Sequence, residues 1–154
     1  MSSAASSPAA TALFTHEIDI RVRYCECDPM GVVHHTVYPV WFEMGRTELL
    51  RATGRTYRDM EEAGLLLAVV RLEVTYKQPA RYDDLVQLRT TLARVGAVKV
   101  EHAYELWRGE DLLVTGATTL ACIDRDGRAK ALPDGLLTEP ARPGQRPATS
   151  PRAS

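Results

Sequence analysis

The amino-acid sequence predicts an α+β domain in which a five-stranded antiparallel sheet wraps around one long central helix. Three observations support this prediction: a segment with the two-residue period of a strand, a following segment with helical apolar spacing, and four further strand-like segments. The last four segments are joined by short connections, which favour antiparallel neighbours. An apolar helix beside one such sheet is expected to lie across its core face.

The first strand is predicted to begin at Phe14. From this residue onward, candidate inward positions alternate with charged residues, which is the pattern of a half-buried strand. The predicted inward positions are His16, Ile18, Ile20, Val22 and Tyr24.

The long helix is predicted after a loop. Apolar residues recur at helical spacing from Tyr38 to Ala52, and Gly54 is a suitable stop signal. Pro39 falls in the first turn, where its missing amide hydrogen costs little. A shorter helix or turn is predicted at about residues 57–63.

The four remaining strands are rich in Val, Leu, Thr and Tyr, and turn signals separate them. These signals are Gly96, the polar run 108–111 and the pair Asp126 and Gly127. A single sheet around one helix leaves free edges and an apolar rim, which favours dimerisation by continuing the sheet. The predicted strands span residues 65–77, 85–95, 98–107 and 112–123.

Composition limits the class of protein. The chain has 154 residues, of which 45% are hydrophobic and 25% charged, as expected for one ordinary globular domain. The net charge of −1 provides no bulk field for nucleic acid or an anionic membrane. We find no apolar run near the roughly 20 residues of a membrane helix and no secretory signal, so we expect a cytoplasmic protein. Cys25, Cys27 and Cys122 are expected to be reduced.

Both ends of the chain differ in composition from its middle. Residues 1–13 are rich in Ser and Ala, and residues 134–154 are rich in Pro with scattered Arg. We predict that both are disordered tails. The folded domain is predicted to span residues 14–133.

The loop between the first strand and the helix contains the most informative residues. Asp28 precedes Pro29, which favours an extended backbone, and Gly31 permits a tight turn. The first amides of the following helix lack internal partners and hold a partial positive charge, which favours a developing oxyanion. Asp is also common in turns, so a purely structural role is the alternative for Asp28.

A metal site is a second alternative for this loop. Cys25, Cys27, Asp28, His34 and His35 are all potential ligands. A structural zinc site usually needs another Cys or His pair farther along the chain, and no matching pair is present in the sequence. We therefore predict neither a metal nor a cofactor.

Three segments resemble the signature of hotdog-fold acyl-CoA thioesterases, and in particular the 4-hydroxybenzoyl-CoA thioesterase and YbgC-like group. The resemblance covers about residues 14–133 and implies the hotdog fold, with a homodimer or a homotetramer as the assembly. The three segments are ECDPMGVVHHTVYPVWFEMGRTELLRATG, VTYKQPARYDDLVQLRTTL and LACIDRDGRAKALP.

The resemblance also implies roles for individual residues. Asp28 matches the catalytic carboxylate, and the sequence leaves open whether it acts as nucleophile or as general base on water. His35 matches the position whose backbone amide polarises the thioester carbonyl, with proton transfer by its imidazole as a secondary role. The implied substrate-binding residues are Gly31, Val32, His34, Tyr38 and Trp41. Candidates for the coenzyme A phosphates are Arg81, Arg89, Arg94, Lys99 and Arg108.

The expected function is hydrolysis of a short-chain or aromatic acyl-CoA to the free acid and coenzyme A, with acyl-CoA as the ligand and without nucleic-acid or membrane partners. Two alternatives remain. A hotdog-type dehydratase or hydratase would use His34 or His35 as its base, and a non-catalytic module would bind acyl-CoA without turnover. Arg46, with Glu43 and Glu48 close by in the sequence, is expected to form a structural ion pair or to lie in an interface rather than to contact a ligand.

Overall fold

The computed structural model describes residues 13–139. A single 3-10 turn, Tyr24–Glu26, separates the first strand from the first helix. The elements are β1 (Phe14–Arg21), α1 (Val37–Ala52), α2 (Tyr57–Glu62), β2 (Leu66–Tyr76), β3 (Leu85–Val95), β4 (Lys99–Arg108) and β5 (Asp111–Ile123).

The five strands form one antiparallel sheet in the order β1-β3-β4-β5-β2. This order makes β1 and β2 the two edges of the sheet. Ile20 of β1 lies opposite Val86 of β3, and both side chains are buried on the same inner face. The predicted α+β class and the five-stranded sheet around one long helix are confirmed.

The end of β1 differs from the prediction. The inward alternation holds as far as Val22, but the strand ends at Arg21 and Tyr24 is 80% exposed. The Arg23 amide donates a hydrogen bond to the Glu26 carboxylate at 2.8 Å, which closes a turn and directs the chain away from the sheet. The prediction of an inward Tyr24 is therefore wrong.

Helix α1 lies directly on the inner face of the sheet. A β-carbon at Gly45 would collide with the side chains of Thr90 and Leu88, and one at Gly116 would collide with the ring of Phe42. The Phe42 ring in turn stacks on Tyr104 of β4, with ring centroids 4.2 Å apart. Small residues on the helix and on the sheet therefore permit this close approach.

The core has two clusters of buried side chains. The first surrounds the N-terminal half of α1 and includes Trp41 and Phe42. The second surrounds its C-terminal half and includes Leu49, Met60 of α2 and Leu137. Residues 134–139, assigned above to the tail, form turns here. Residues 1–12 and 140–154 lie outside the described residues, so the tails stay a prediction.

Two further observations concern the described part of the chain. No helix within residues 13–139 combines the length and apolar character needed to cross a membrane. Cys25, Cys27 and Cys122 are all free thiols.

Arg46 has a more buried setting than the sequence suggested. Its side chain is only 11% exposed, and its guanidinium lies 3.8 Å from the Glu43 carboxylate. Glu48 instead pairs with Arg51 at 3.4 Å. The ion pair expected with Glu43 is present but long. Most of the Arg46 side chain is enclosed between α1 and the sheet.

His102 of β4 lies on the inner face of the sheet, near Arg46 of α1, and is 5% exposed. Its Nδ1 has no hydrogen-bond partner within residues 13–139. Burial, together with the nearby charge of Arg46, lowers the pKa of His102 from 6.5 to about 4. The folded protein therefore keeps this imidazole neutral under conditions in which an unfolded chain would protonate it.

Because the pKa of His102 is lower in the folded protein than in the unfolded chain, the stability of the protein is expected to fall in acid. Between pH 6.5 and 4 the unfolded chain binds a proton at His102 and the folded protein does not, so the free energy of unfolding falls as the pH is lowered. We expect His102 to account for a loss of up to about 3 kcal/mol across this window. Urea unfolding at several pH values should show a shallower pH dependence in His102→Gln than in wild type or in His16→Gln. An unchanged dependence in His102→Gln would contradict the assignment.

Candidate active site

A short hairpin between β1 and α1 places Asp28 at its tip. The Asp28 amide donates to the Val32 carbonyl at 2.8 Å, and the Gly31 amide donates back to the Asp28 carbonyl at 2.9 Å. Gly31 has a φ of +77°, a conformation that glycine adopts without steric cost. At the base of the hairpin, the His34 amide donates to the Glu26 carbonyl at 2.9 Å. The tight turn predicted at Gly31 is present and fixes the backbone at Asp28.

The carboxylate of Asp28 is held by only one of its oxygens. Oδ1 accepts a hydrogen bond from the Met30 amide at 2.9 Å, which is the local turn role considered as the alternative above. Among residues 13–139, none donates a hydrogen bond to Oδ2. The carboxylate is thus oriented by the turn while one oxygen remains available to water or a substrate.

Glu26 fastens this hairpin to helix α1. The buried Trp41 indole donates from Nε1 to Glu26 Oε2 at 2.8 Å, and the Arg23 amide donates to Oε1. Burial alone would raise the pKa of Glu26, but the hydrogen bonds from Arg23 and Trp41 outweigh it and hold that pKa below its usual value. Glu26 therefore remains an ionised, well-bonded acceptor inside the protein.

The sequence analysis did not identify Glu26 as part of the site. A signal was available, because a buried Trp usually needs an acceptor for its indole N–H. Glu26 is an acidic residue in the loop that precedes the helix of Trp41.

The segment after β2 holds the other side of the hairpin. The Val33 amide donates to the Ala80 carbonyl at 2.8 Å, and the Ala80 amide donates to the Tyr38 hydroxyl at 3.3 Å. Tyr38 and Trp41 are 2% and 1% exposed, so both predicted substrate-binding side chains are enclosed in the core of the single chain. Gly31, Val32 and His34 lie nearer the surface.

The N-terminus of α1 has no side-chain cap. Thr36 occupies the N-cap position, but its hydroxyl accepts no hydrogen bond from the first turn, and that turn contains no acidic residue. In α2, by contrast, the Thr56 hydroxyl accepts a hydrogen bond from the Asp59 amide at 3.1 Å. A threonine hydroxyl therefore caps α2, whereas the start of α1 has no side-chain cap and is open to a ligand.

The peptide groups before α1 direct one amide outward. The His34 carbonyl accepts a hydrogen bond from the Val37 amide at 3.0 Å, so it points into the helix. Because a trans peptide is planar, the His35 N–H of the same group points the opposite way, out of the helix start. The next amide, that of Thr36, donates to His34 Nδ1 at 3.2 Å. No described residue accepts a hydrogen bond from the His35 amide.

The two histidine side chains have different settings. His34 Nδ1 lies 2.7 Å from the Thr36 hydroxyl and also accepts from the Thr36 amide, so this nitrogen is engaged in the loop. The His35 ring is exposed and lies 4.2 Å from the His34 ring. The His34 imidazole therefore occupies the Thr36 amide, and the His35 amide is the one left available at the helix start.

The candidate phosphate-binding residues fall into two groups. Arg89 is paired with Glu17, and Arg108 with Asp84, each at 2.8 Å. Arg81, Arg94 and Lys99 are exposed and form no ion pair with another described residue. Arg81 forms a bridge with Val32, which places it beside the hairpin. Within residues 13–139, no three His, Cys, Asp or Glu side chains form a metal-binding group.

A five-stranded antiparallel sheet wrapped around one long helix is the architecture of the hotdog-fold thioester hydrolases. The model of the Thioesterase superfamily matches residues 30–115, and the chain belongs to this family. The match begins just after Asp28 and includes His35. The predicted fold, family and class of enzyme are confirmed, whereas the roles of individual residues stay predictions.

Similar proteins extend the comparison over most of the chain. Putative acyl-CoA thioesterase YneP of Bacillus subtilis is 34% identical over 122 residues, which cover 75% of this chain and 88% of YneP. Acyl-CoA thioester hydrolase YbgC of Escherichia coli is 28% identical over 122 residues, covering 78% and 91%. The crystal structure of DHNA-CoA thioesterase from Staphylococcus aureus gives a TM-score of 0.72 at 33% identity, covering 77% of this chain and 79% of that one.

Proposed function

We propose that this chain hydrolyses acyl-CoA thioesters of a short-chain or aromatic acid to the free acid and coenzyme A. The observation that supports this most directly is that one segment holds both a carboxylate with a free oxygen and an outward-directed amide with no partner among the described residues. A thioester carbonyl is already electrophilic, so one carboxylate and one oriented donor can suffice.

The names of the similar proteins support a coenzyme A ester as the substrate. YneP and YbgC are both named for acyl-CoA thioesters, and the Staphylococcus aureus enzyme is named for DHNA-CoA. In this chain, the exposed candidates for a phosphate of coenzyme A that form no ion pair with another described residue are Arg81, Arg94 and Lys99. Gly31, Val32 and His34 would contact the thioester end of the substrate. Tyr38 and Trp41 would form the inner wall of the pocket for the acyl group.

In the proposed reaction, the His35 amide donates a hydrogen bond to the thioester carbonyl oxygen. Negative charge that develops on this oxygen is stabilised by that hydrogen bond and by the partial positive charge of the α1 N-terminus. The free oxygen of Asp28 either attacks the carbonyl carbon, giving an anhydride that water then hydrolyses, or accepts a proton from an attacking water. In both routes the carbon–sulfur bond breaks and the coenzyme A thiolate leaves and is protonated.

Replacing Asp28 tests this proposal. Asp28→Asn keeps the size of the side chain and a carbonyl oxygen for the Met30 amide, but it removes the nucleophile or base. We expect kcat to fall by about 10²-fold or more, as is typical for loss of a catalytic acid or base. The measurement is free thiol release from a panel of acyl-CoAs, with Asp19→Asn on the exposed face of β1 as the matched control.

Equal activity of wild type and Asp28→Asn would contradict the role of Asp28. The same panel distinguishes the two alternatives. A hydratase would remove the conjugated absorbance of an enoyl-CoA without releasing thiol. A binding module would bind acyl-CoA and release no product.

We also propose that β2 pairs with β2 of a second copy and extends the sheet into a dimer. β2 is an edge strand, and Val69, Val70 and Leu72 on it are 48%, 56% and 44% exposed. Exposed apolar side chains on an unpaired edge are unfavourable in a monomer and favour pairing with another strand. Two such dimers would form the homotetramer that remains the alternative assembly.

A charge on this edge tests the proposed pairing. Val70→Lys replaces an exposed apolar side chain of this edge strand with a charged one that would face its own copy across the dimer, so we expect the dimer to dissociate towards the chain mass of 17.1 kDa. Analytical ultracentrifugation measures the change, with Leu85→Lys as the control, since Leu85 is 41% exposed on β3. A wild-type monomer, or a Val70→Lys variant that keeps the wild-type mass, would contradict pairing through β2.

A further inference from the structure

A hydrogen bond from a distant strand reaches the peptide next to the His35 amide. The Tyr76 hydroxyl donates to the His35 carbonyl at 2.8 Å, across a sequence separation of 41 residues. Tyr76 is the last residue of the edge strand β2 and is 50% exposed. Its ring packs edge-on against the buried ring of Tyr38, with centroids 5.4 Å apart, which fixes the direction of the hydroxyl.

We propose that Tyr76 is a positioning residue for thioester hydrolysis, because its hydroxyl fixes the backbone at His35 and so keeps the His35 amide directed at the substrate carbonyl. This inference rests on the proposed role of the His35 amide and deepens it. In this proposal Tyr76 acts through the backbone and does not itself contact the substrate.

The hydrogen bonds around His35 show why the Tyr76 contact matters. The peptide before His35 is held through the Val37 amide, which donates to the His34 carbonyl. The peptide after His35 is held by Tyr76 at its carbonyl and by His34 Nδ1 at its amide. His34 belongs to the same loop and moves with it. Tyr76 is therefore the contact that ties this second peptide to the sheet.

The uncapped helix start makes this contact more important. A side-chain cap normally fixes the backbone at the entry to a helix, and Thr36 provides none. His35 is also exposed, so its side chain is not enclosed by the kind of packing that would hold the backbone in place. If the Tyr76 hydroxyl were absent, the backbone torsions at His35 could change and the direction of its amide would change with them.

The effect is expected in the rate rather than in substrate affinity or stability. A small misalignment of an oxyanion donor lowers the rate, because the donor must match the position of the charge in the transition state. An exposed hydrogen bond, by contrast, adds little to stability. Burial raises the pKa of Tyr76 above its ordinary value of 10.0, so the hydroxyl stays protonated and remains a donor near neutral pH.

The test is Tyr76→Phe, which keeps the ring against Tyr38 and removes only the hydroxyl. We expect kcat to fall roughly 3- to 10-fold, which corresponds to one ordinary hydrogen bond, with little change in KM or Tm. The matched control is Tyr82→Phe, since Tyr82 is 57% exposed and its hydroxyl bonds to no described residue. This control should keep the wild-type kcat, KM and Tm.

A kcat of Tyr76→Phe equal to that of wild type would overturn the inference, and so would a fall in kcat that is matched by a fall in Tm. Asp28→Asn, assayed in parallel, separates this failure from failure of the proposed function. If wild type releases thiol and Asp28→Asn does not, an unaffected Tyr76→Phe refutes the role of Tyr76 alone.

A second readout does not depend on turnover. In ¹H–¹⁵N NMR spectra, Tyr76→Phe should shift or broaden the amide signals of His35 and Thr36 relative to wild type, whereas Tyr82→Phe should not. Unchanged signals of both residues in Tyr76→Phe would refute the proposed fixing of the backbone even if no substrate had been found.

Discussion

The hydrogen bond from the Trp41 indole to the Glu26 carboxylate sets the position of the candidate site relative to the rest of the protein. Both groups are buried, and each would cost about 1–3 kcal/mol if its partner were lost. Trp41 belongs to α1, which the close approach at Gly45 holds against β3. The hairpin of Asp28 is therefore fastened through Glu26 to a fully buried residue of the core, and its geometry depends on how α1 packs on the sheet.

The hairpin is well supported, yet two of the polar groups near it have no hydrogen-bond partner among the described residues. Glu26 and Ala80 bind the hairpin from two sides, while one oxygen of Asp28 and the amide of His35 have no partner among residues 13–139. The contrast between the two helices shows that the open start of α1 is not general to the chain, because α2 is capped by Thr56. An uncapped helix start lowers stability, and a substrate oxygen bound there would offset that cost.

Much of the fold follows from local patterns in the sequence, and the site follows only in part. The long helix and the last four strands lie within one residue of their predicted bounds, because their periodicities reflect burial on one face. The end of β1 was predicted wrongly because the Glu26 side chain closes a turn. Glu26 and Tyr76 were missed because their partners lie 15 and 41 residues away. Local sequence patterns singled out Asp28 and the helix start, whereas the catalytic roles of Asp28 and His35 came from the family resemblance and stay predictions, as do the tails, the assembly and the cytoplasmic location.

The most direct test of the central claim is a crystal structure of Asp28→Asn with an acyl-CoA bound at the hairpin. The claim is that the Asp28 carboxylate and the His35 amide act on the same thioester. We expect the carbonyl oxygen at about 2.7–3.1 Å from the His35 nitrogen, the usual range for an oxyanion donor, with the side chain of residue 28 facing the carbonyl carbon. A thioester bound away from this hairpin, or a carbonyl oxygen held by other donors, would contradict the account.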